Sequence, residues 1–186
     1  MRKLSCFLSV SLDGYFVDRH GQMDWAKVGT DDKEFADFSA SNARGESDLV
    51  FGRVTYDMMS RFWPSPQAKE LFPEVAEGMH KAHKFVFSRT LDKPDWNHTK
   101  LVKGELVPEM RRMKEEDGNP LVILGSGSLV AQLAPHRLID EYQMVMVPVA
   151  LGAGRTIFDG LKENLSLKLF KSRTFLNGRV LLSYRP

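Results

Sequence analysis

Four apolar residues, Leu121-Val122-Ile123-Leu124, run straight into Gly125-Ser126-Gly127-Ser128 and then into Leu129-Val130-Ala131-Gln132-Leu133, with no proline in between. No other stretch limits the fold as tightly. A short continuous apolar run suits a strand covered on both faces, and such strands belong to sheets with helices on each side. The small-residue turn then opens a helix whose first N–H groups have no partner within the helix and whose positive end attracts anions. On its own the turn reads equally as a plain strand-to-helix connection or as a phosphate site.

Read in order, the rest of the chain repeats this grammar. Leu4, Cys6, Leu8, Val10 and Leu12 fall on one face at period two, with Ser5, Phe7, Ser9 and Ser11 on the other. The pattern predicts a strand with one small, polar side, ending in the turn residues Asp13-Gly14. Tyr15 to Thr30 reads as a polar loop carrying Trp25. Asp31 to Arg44 reads as a helix capped by Thr30 or Asp31, with Phe35 and Phe38 three apart. Asp48 to Phe51 reads as a strand closed by Gly52-Arg53-Val54-Thr55, before a helix around Tyr56, Met58 and Met59. Phe62 to Pro66 breaks the chain, and Gln67 to Lys81 resumes helical spacing across Pro73.

Further strands are expected at Lys84 to Phe87, ending in Ser88-Arg89-Thr90, at Thr99 to Lys103, and at His136 to Met146. Glu105 to Glu116 reads as a charged helix, and Pro148 to Arg155 as a glycine-rich loop. Ser172 to Leu176 and Arg179 to Tyr184 flank Asn177-Gly178, a strong hairpin signal. Strands alternate with helices and then end in a hairpin. The expected fold is therefore α/β, with a mainly parallel sheet and an antiparallel C-terminal edge, residues 1–186 forming one domain.

Lys and Arg number 26 against 24 Asp and Glu, a formal charge of +2. That balance argues against nucleic-acid and membrane-surface partners and leaves room for a local anion site. A single cysteine, Cys6, permits no internal disulfide and no cysteine-based zinc site, and its place in an apolar strand reads as core. No signal-peptide pattern or transmembrane-length stretch occurs, so a cytoplasmic setting is expected.

Three expected strand ends share one chemistry: Gly52-Arg53-Val54-Thr55, Ser88-Arg89-Thr90 and Gly125-Ser126-Gly127-Ser128. Side by side they could hold several phosphates, with helix N-termini for a pyrophosphate and two guanidiniums for a phosphate monoester. A phosphorylated dinucleotide fits that layout, although neither a P-loop nor a G-x-G-x-x-G pattern is present. His80 and His83 lack a third ligand at metal spacing, so no metal site is expected. Asp31, Asp32, Glu34 and Asp37 read either as a source of a cleft carboxylate or as the acidic first turn of a helix.

Taken together, Ser11-Leu12-Asp13-Gly14, Leu49 through Tyr56, Phe87-Ser88-Arg89, Leu124 through Ser128, and Pro148 through Phe158 resemble, in this order, the dihydrofolate reductase-like family. The similarity is to its branch related to the C-terminal reductase domain of bifunctional riboflavin-biosynthesis enzymes, and it spans essentially the whole chain. The resemblance implies a three-layer fold, an NADPH cofactor and, commonly, a homodimer. It also implies that Gly52, Arg53, Thr55, Ser88 and Arg89 serve the adenine-side phosphates, and that Gly125, Ser126, Gly127, Ser128 and Leu129 serve the pyrophosphate. The Asp13-Gly14 loop and the Gly152 to Arg155 loop would flank the nicotinamide and substrate. The carboxylate that binds pterin in dihydrofolate reductases has no unique counterpart, since Asp32, Glu34 and Asp37 compete for the position. The deaminase part of the bifunctional enzymes, with its zinc-ligand motif, is absent from the sequence.

The expected function is therefore hydride transfer from NADPH to a C=N or C=O bond of a small heterocyclic, pterin- or riboflavin-precursor-like substrate. Asp13 is the first choice for a polar contact near the reacting centre, Asp32 the second, and Arg155 a possible anion anchor. The rival is a non-catalytic NADP-binding sensor or scaffold module. A phosphosugar lyase or isomerase is a third reading, which accounts less well for the paired arginines.

Overall fold

The computed structural model describes residues 1–27, 32–43 and 47–186. Among them an eight-stranded sheet forms the middle layer. In chain order its strands are β1 (Leu4–Ser11), β3 (Asp48–Gly52), β4 (Lys84–Phe87), β5 (Thr99–Val102), β6 (Leu121–Leu124), β7 (Glu141–Val147), β9 (Lys168–Thr174) and β10 (Val180–Arg185). Their spatial order is β5-β4-β3-β6-β1-β7-β10-β9. The first six are parallel, and the β9–β10 hairpin is antiparallel. The expected sheet type is thus the observed one.

Helices cover both faces. On one side α1 (Lys33–Ala43), α2 (Arg53–Phe62), α3 (Pro66–Leu71) and α4 (Pro73–Lys81) follow β1 and β3. On the other, α5 (Leu106–Glu115) packs against α6 (Gly127–Leu133). The period-two pattern of β1 explains the difference between the faces. Leu4, Cys6, Leu8 and Val10 are buried under α5 and α6 with Met110, Met113, Val130 and Leu133, one continuous core. Burial of each such aliphatic side chain favours folding by about 1.5–3 kcal/mol. It also pushes the Cys6 thiol up to about 12, which makes it an inert packing group.

The opposite face is divided. Phe51, Tyr56, Met79, Val86 and Trp96 make one cluster, and Val145, Phe175 and Leu181, with Phe7, Phe35 and Phe38, make another. Between them lies a cavity of about 470 Å³ against the Ser5–Phe7 side of β1.

The local differences from the sequence reading have physical causes. Tyr15 to Thr30 is not all loop. Tyr15–Asp18 forms β2, which pairs antiparallel with β8 (Gly154–Thr156), and Asp24–Lys27 forms a turn of 3-10 helix. Pairing with a strand far along the chain leaves no local periodicity to read. Helix α1 starts at Lys33, and Asp32 accepts from the N–H groups of Glu34 (2.8 Å) and Phe35 (3.2 Å). The alternative caps, Thr30 and Asp31, lie outside the described residues, as does the expected helix end at Arg44. The helix expected across Pro73 is two helices, because Phe72 leaves helical geometry and Pro73 opens α4 as its first residue. His136 ends a 3-10 turn rather than starting a strand, and Arg137 follows at φ 52°.

Charged groups tie down the N-terminal edge of the sheet. Arg2 pairs with Asp48, and Lys114 donates to Leu138 O (2.7 Å) and Asp140 Oδ2 (2.6 Å). The C-terminal edge carries glycines, hydroxyls and arginines instead.

Candidate active site at the C-terminal edge of the sheet

Helices α2 and α6 leave neighbouring strands, β3 and β6, towards opposite faces. In an open α/β sheet that is the switch point at which a crevice opens. Here the crevice is fixed by one bond, in which the Gly52 N–H donates to the buried Ser126 Oγ at 2.9 Å. Ser126, at the N-cap of α6, makes no side-chain cap bond to its own helix, because its hydroxyl is used across the crevice. Its carbonyl accepts from Leu129 N (2.8 Å) and Val130 N (3.3 Å). The N–H groups of Gly127 and Ser128 precede these and have no partner within the helix.

Only glycine fits Gly125. Its φ is +75°, and a Cβ would come within 3.1 Å of the Thr55 methyl from the first turn of α2. A Cβ on Gly52 would meet Leu129 at 3.6 Å. Gly52, Thr55, Gly125, Ser126 and Leu129 are therefore one contiguous patch, assembled from two segments distant in sequence.

The remaining candidates flank it. Register pairs Gly52 with Phe87, so Arg53 and Ser88 leave adjacent strand ends. Both arginines are engaged: Arg53 Nε with Asp57 Oδ2 at 2.6 Å, and Arg89 with Glu105. Ser88 Oγ accepts from Leu91 N (3.0 Å) and Thr90 N (3.2 Å), closing its own turn.

On the other side stand Asp13 and Arg155. Asp13, expected to make a polar contact near the reacting centre, ties two loops together at this edge. It accepts from Ser11 Oγ (2.6 Å), Gly152 N (2.7 Å) and Leu151 N (3.1 Å), joining the end of β1 to the loop after β7. These bonds, the Ser11 hydroxyl first, lower its pKa to about 2, so it is an anion at any ordinary pH. Asp32 stands at the start of α1. Besides capping α1 it accepts from Asn177 N (3.0 Å) in the β9–β10 turn. Desolvation raises its pKa, but the N–H groups of Asn177, Phe35 and Glu34 together keep it below the ordinary aspartate range. Its rivals are also committed, Glu34 to Arg173 and Asp37 to Lys33, both at 2.7 Å.

Arg155 on β8 is exposed and makes no ion pair among the described residues; its guanidinium lies 5.4 Å from the ring centroid of Phe16 on β2. Phe16 is a residue that sequence reading missed. A Cβ on Gly127 would fall 2.5 Å from its ring, so the β2–β8 ribbon rests on the start of α6. The only sequence signal was the short apolar run Tyr15-Phe16-Val17 after Gly14.

Comparisons with known proteins agree with this architecture. Residues 2–181 match the family model described as the RibD C-terminal domain. The chain is 28% identical over 183 residues to the uncharacterized protein YyaP of Bacillus subtilis, covering 98% of this chain and 94% of that one. It is 26% identical over 176 residues to the uncharacterized protein YwjB of the same organism, covering 94% and 92%. Among solved structures, a putative riboflavin biosynthesis protein from Shewanella sp. PV-4 superposes with a TM-score of 0.74 at 27% identity, covering 98% of each chain. A diaminohydroxyphosphoribosylaminopyrimidine deaminase/5-amino-6-(5-phosphoribosylamino)uracil reductase from Thermotoga maritima gives 0.65 at 16% identity, covering all of this chain and 56% of that one, a likeness of fold. The fold is dihydrofolate reductase-like, and no helix among the described residues is long and apolar enough to cross a membrane. The chain belongs to the RibD C-terminal domain family, a family of reductase domains.

Proposed function

We propose that the protein is an NADPH-dependent reductase that holds its cofactor across the β3–β6 crevice and its substrate in the cavity beside α1 and α4. The observation that carries this reading is the Gly52–Ser126 bond at 2.9 Å, which closes a glycine-lined anion cradle at the switch point of the sheet. The residues present fit the cofactor. The N–H groups of Gly127 and Ser128, the Ser128 hydroxyl and Arg155, which makes no ion pair among the described residues, suit a pyrophosphate. Gly125 lets the ligand approach the backbone, with Leu129 and Thr55 packed beneath it. Arg53, Ser88 and Arg89 suit the adenine-side phosphate, where the ligand competes with Asp57 and Glu105 for the guanidiniums.

When bound, NADPH supplies the hydride. The chain's own residues position and enclose. Asp13 locks the β1 end to the loop after β7, Phe16 and the β2–β8 ribbon cover the start of α6, and Leu124 joins the cradle to the cavity floor. No Asp, Glu, His, Lys or Arg lines the cavity among the described residues, so solvent water delivers the proton that accompanies the hydride. Fluorescence titration with NADPH and NADH tests the reading. The expected result is binding of NADPH in preference to NADH, and binding of neither overturns it. Tight NADPH binding without oxidation by any member of a pterin, flavin-precursor and carbonyl panel favours the non-catalytic NADP-binding module instead.

A further inference from the structure

The cavity between the two aromatic clusters has walls of one chemical kind. Phe35 stands on the α1 side, Trp63 and Phe72 on the other, and Phe7 and Leu124 form the floor. Trp63 offers only its ring, since its indole N–H points to Met59 Sδ at 3.0 Å. At about 470 Å³ the space suits one small ring system, and facing aromatic side chains favour a planar one.

Among the described residues its polar groups are few and neutral: Ser5, Ser39, Ser47 and Gln143. Ser39 donates to Phe35 O at 2.9 Å within α1, and Ser5 reaches Leu121 O only at 3.4 Å. Gln143, the register partner of Phe7, is held differently. Its Nε2 donates to Glu141 Oε1 at 2.6 Å, and Glu141 Oε2 accepts from Arg185 at 3.2 Å. A carboxylate can only accept, so this contact fixes which way the amide points. The carbonyl oxygen, which takes no hydrogen bond among the described residues, is left as the acceptor that Gln143 presents.

A phosphate or carboxylate placed between these walls would lose hydration without meeting a cation among the described residues. We infer that the cavity takes an uncharged, unphosphorylated planar ring compound with an N–H or O–H donor, selected by Gln143. The inference deepens the reductase reading and rests on it for the cavity's role as the substrate site. It also separates this chain from the Thermotoga protein, whose name specifies a phosphoribosyl substrate.

Isothermal titration of the full chain, with and without NADPH, tests it using redox-inert probes: naphthol, which is uncharged and carries an O–H donor, against naphthoate and naphthalene sulfonate. Naphthol is expected to bind at least ten-fold more tightly than either anion. Gln143→Leu is expected to lose naphthol affinity about ten-fold while NADPH affinity stays unchanged. Gln143→Met, which keeps the side-chain length, serves should the leucine variant not fold. An anion binding as tightly as naphthol, no binding of naphthol, or naphthol affinity indifferent to both variants overturns the proposal. Failure of NADPH to bind overturns the reductase reading instead, and the naphthol titration without cofactor shows the two failures apart.

Discussion

Replacing Ser126 by alanine removes the acceptor that the structure gives to the Gly52 N–H at 2.9 Å. Ser126 is only 5% exposed, so water does not simply take the place of the hydroxyl. A buried donor left without a partner costs roughly 1–3 kcal/mol. In a chain of this size each kcal/mol lowers the Tm by about 2–4 °C. The complementary variant, Gly52→Pro, deletes the donor itself. Gly52 sits at φ −81° and ψ 164°, close to what a proline ring imposes. A Cβ there meets nothing nearer than Leu129 at 3.6 Å. With Ser126 in place the proline Cδ presses on the hydroxyl; with alanine it does not. The double variant should therefore cost less than the sum of the two singles, by on the order of 1 kcal/mol. Urea unfolding followed by tryptophan fluorescence, compared at constant m, measures all four proteins. Strict additivity, or a Ser126→Ala protein with an unchanged midpoint, refutes the idea that this bond holds the crevice.

Arg89→Ala should weaken NADPH by about ten- to a hundred-fold and leave NADH nearly unaffected, the size of one charge-assisted hydrogen bond. Because Glu105 competes for that guanidinium, Glu105→Gln should tighten NADPH; fluorescence titration checks both, and equal effects on the two cofactors remove Arg89 from the phosphate site. Lys84 is fully buried beneath Trp96, with Nζ donating to Ala82 O (2.6 Å) and Met79 O (2.8 Å) at the end of α4, and burial pushes its pKa down from 10.5 to about 8. The unfolded chain then holds the extra proton between about pH 8 and 10.5, so wild-type stability should rise with pH across that window relative to Lys84→Met. The rise is roughly 3 kcal/mol at most. Urea midpoints taken at pH 7, 9 and 10 check it, and a constant difference between the two proteins contradicts it.

What the sequence made legible was everything carried by local period and turn chemistry. The alternation in β1 separated a core face from a small polar face. The stop of an apolar run at Gly125 marked a strand end, and Asn177-Gly178 marked the hairpin. What stayed hidden was decided by partners far away along the chain. Asp13 reads as a lone carboxylate beside a strand end, and only the fold shows that Gly152, 139 residues on, donates to it. Asp32 likewise meets Asn177 across 145 residues. Neither contact leaves a trace in the local pattern, because any acceptor at a turn looks the same until its donors are known. Gln143 makes the same point from the other side. A glutamine in an alternating strand attracts no notice, and only its register beside Phe7, with Glu141 fixing its amide, makes it a polar feature of a cavity whose described lining carries no charge. In the proposed reading a neutral acceptor on β7 takes the part for which sequence reasoning sought a carboxylate on α1. If that exchange sets the substrate, relatives with the same crevice but an acid or a cation at this register should differ in the charge of what they reduce.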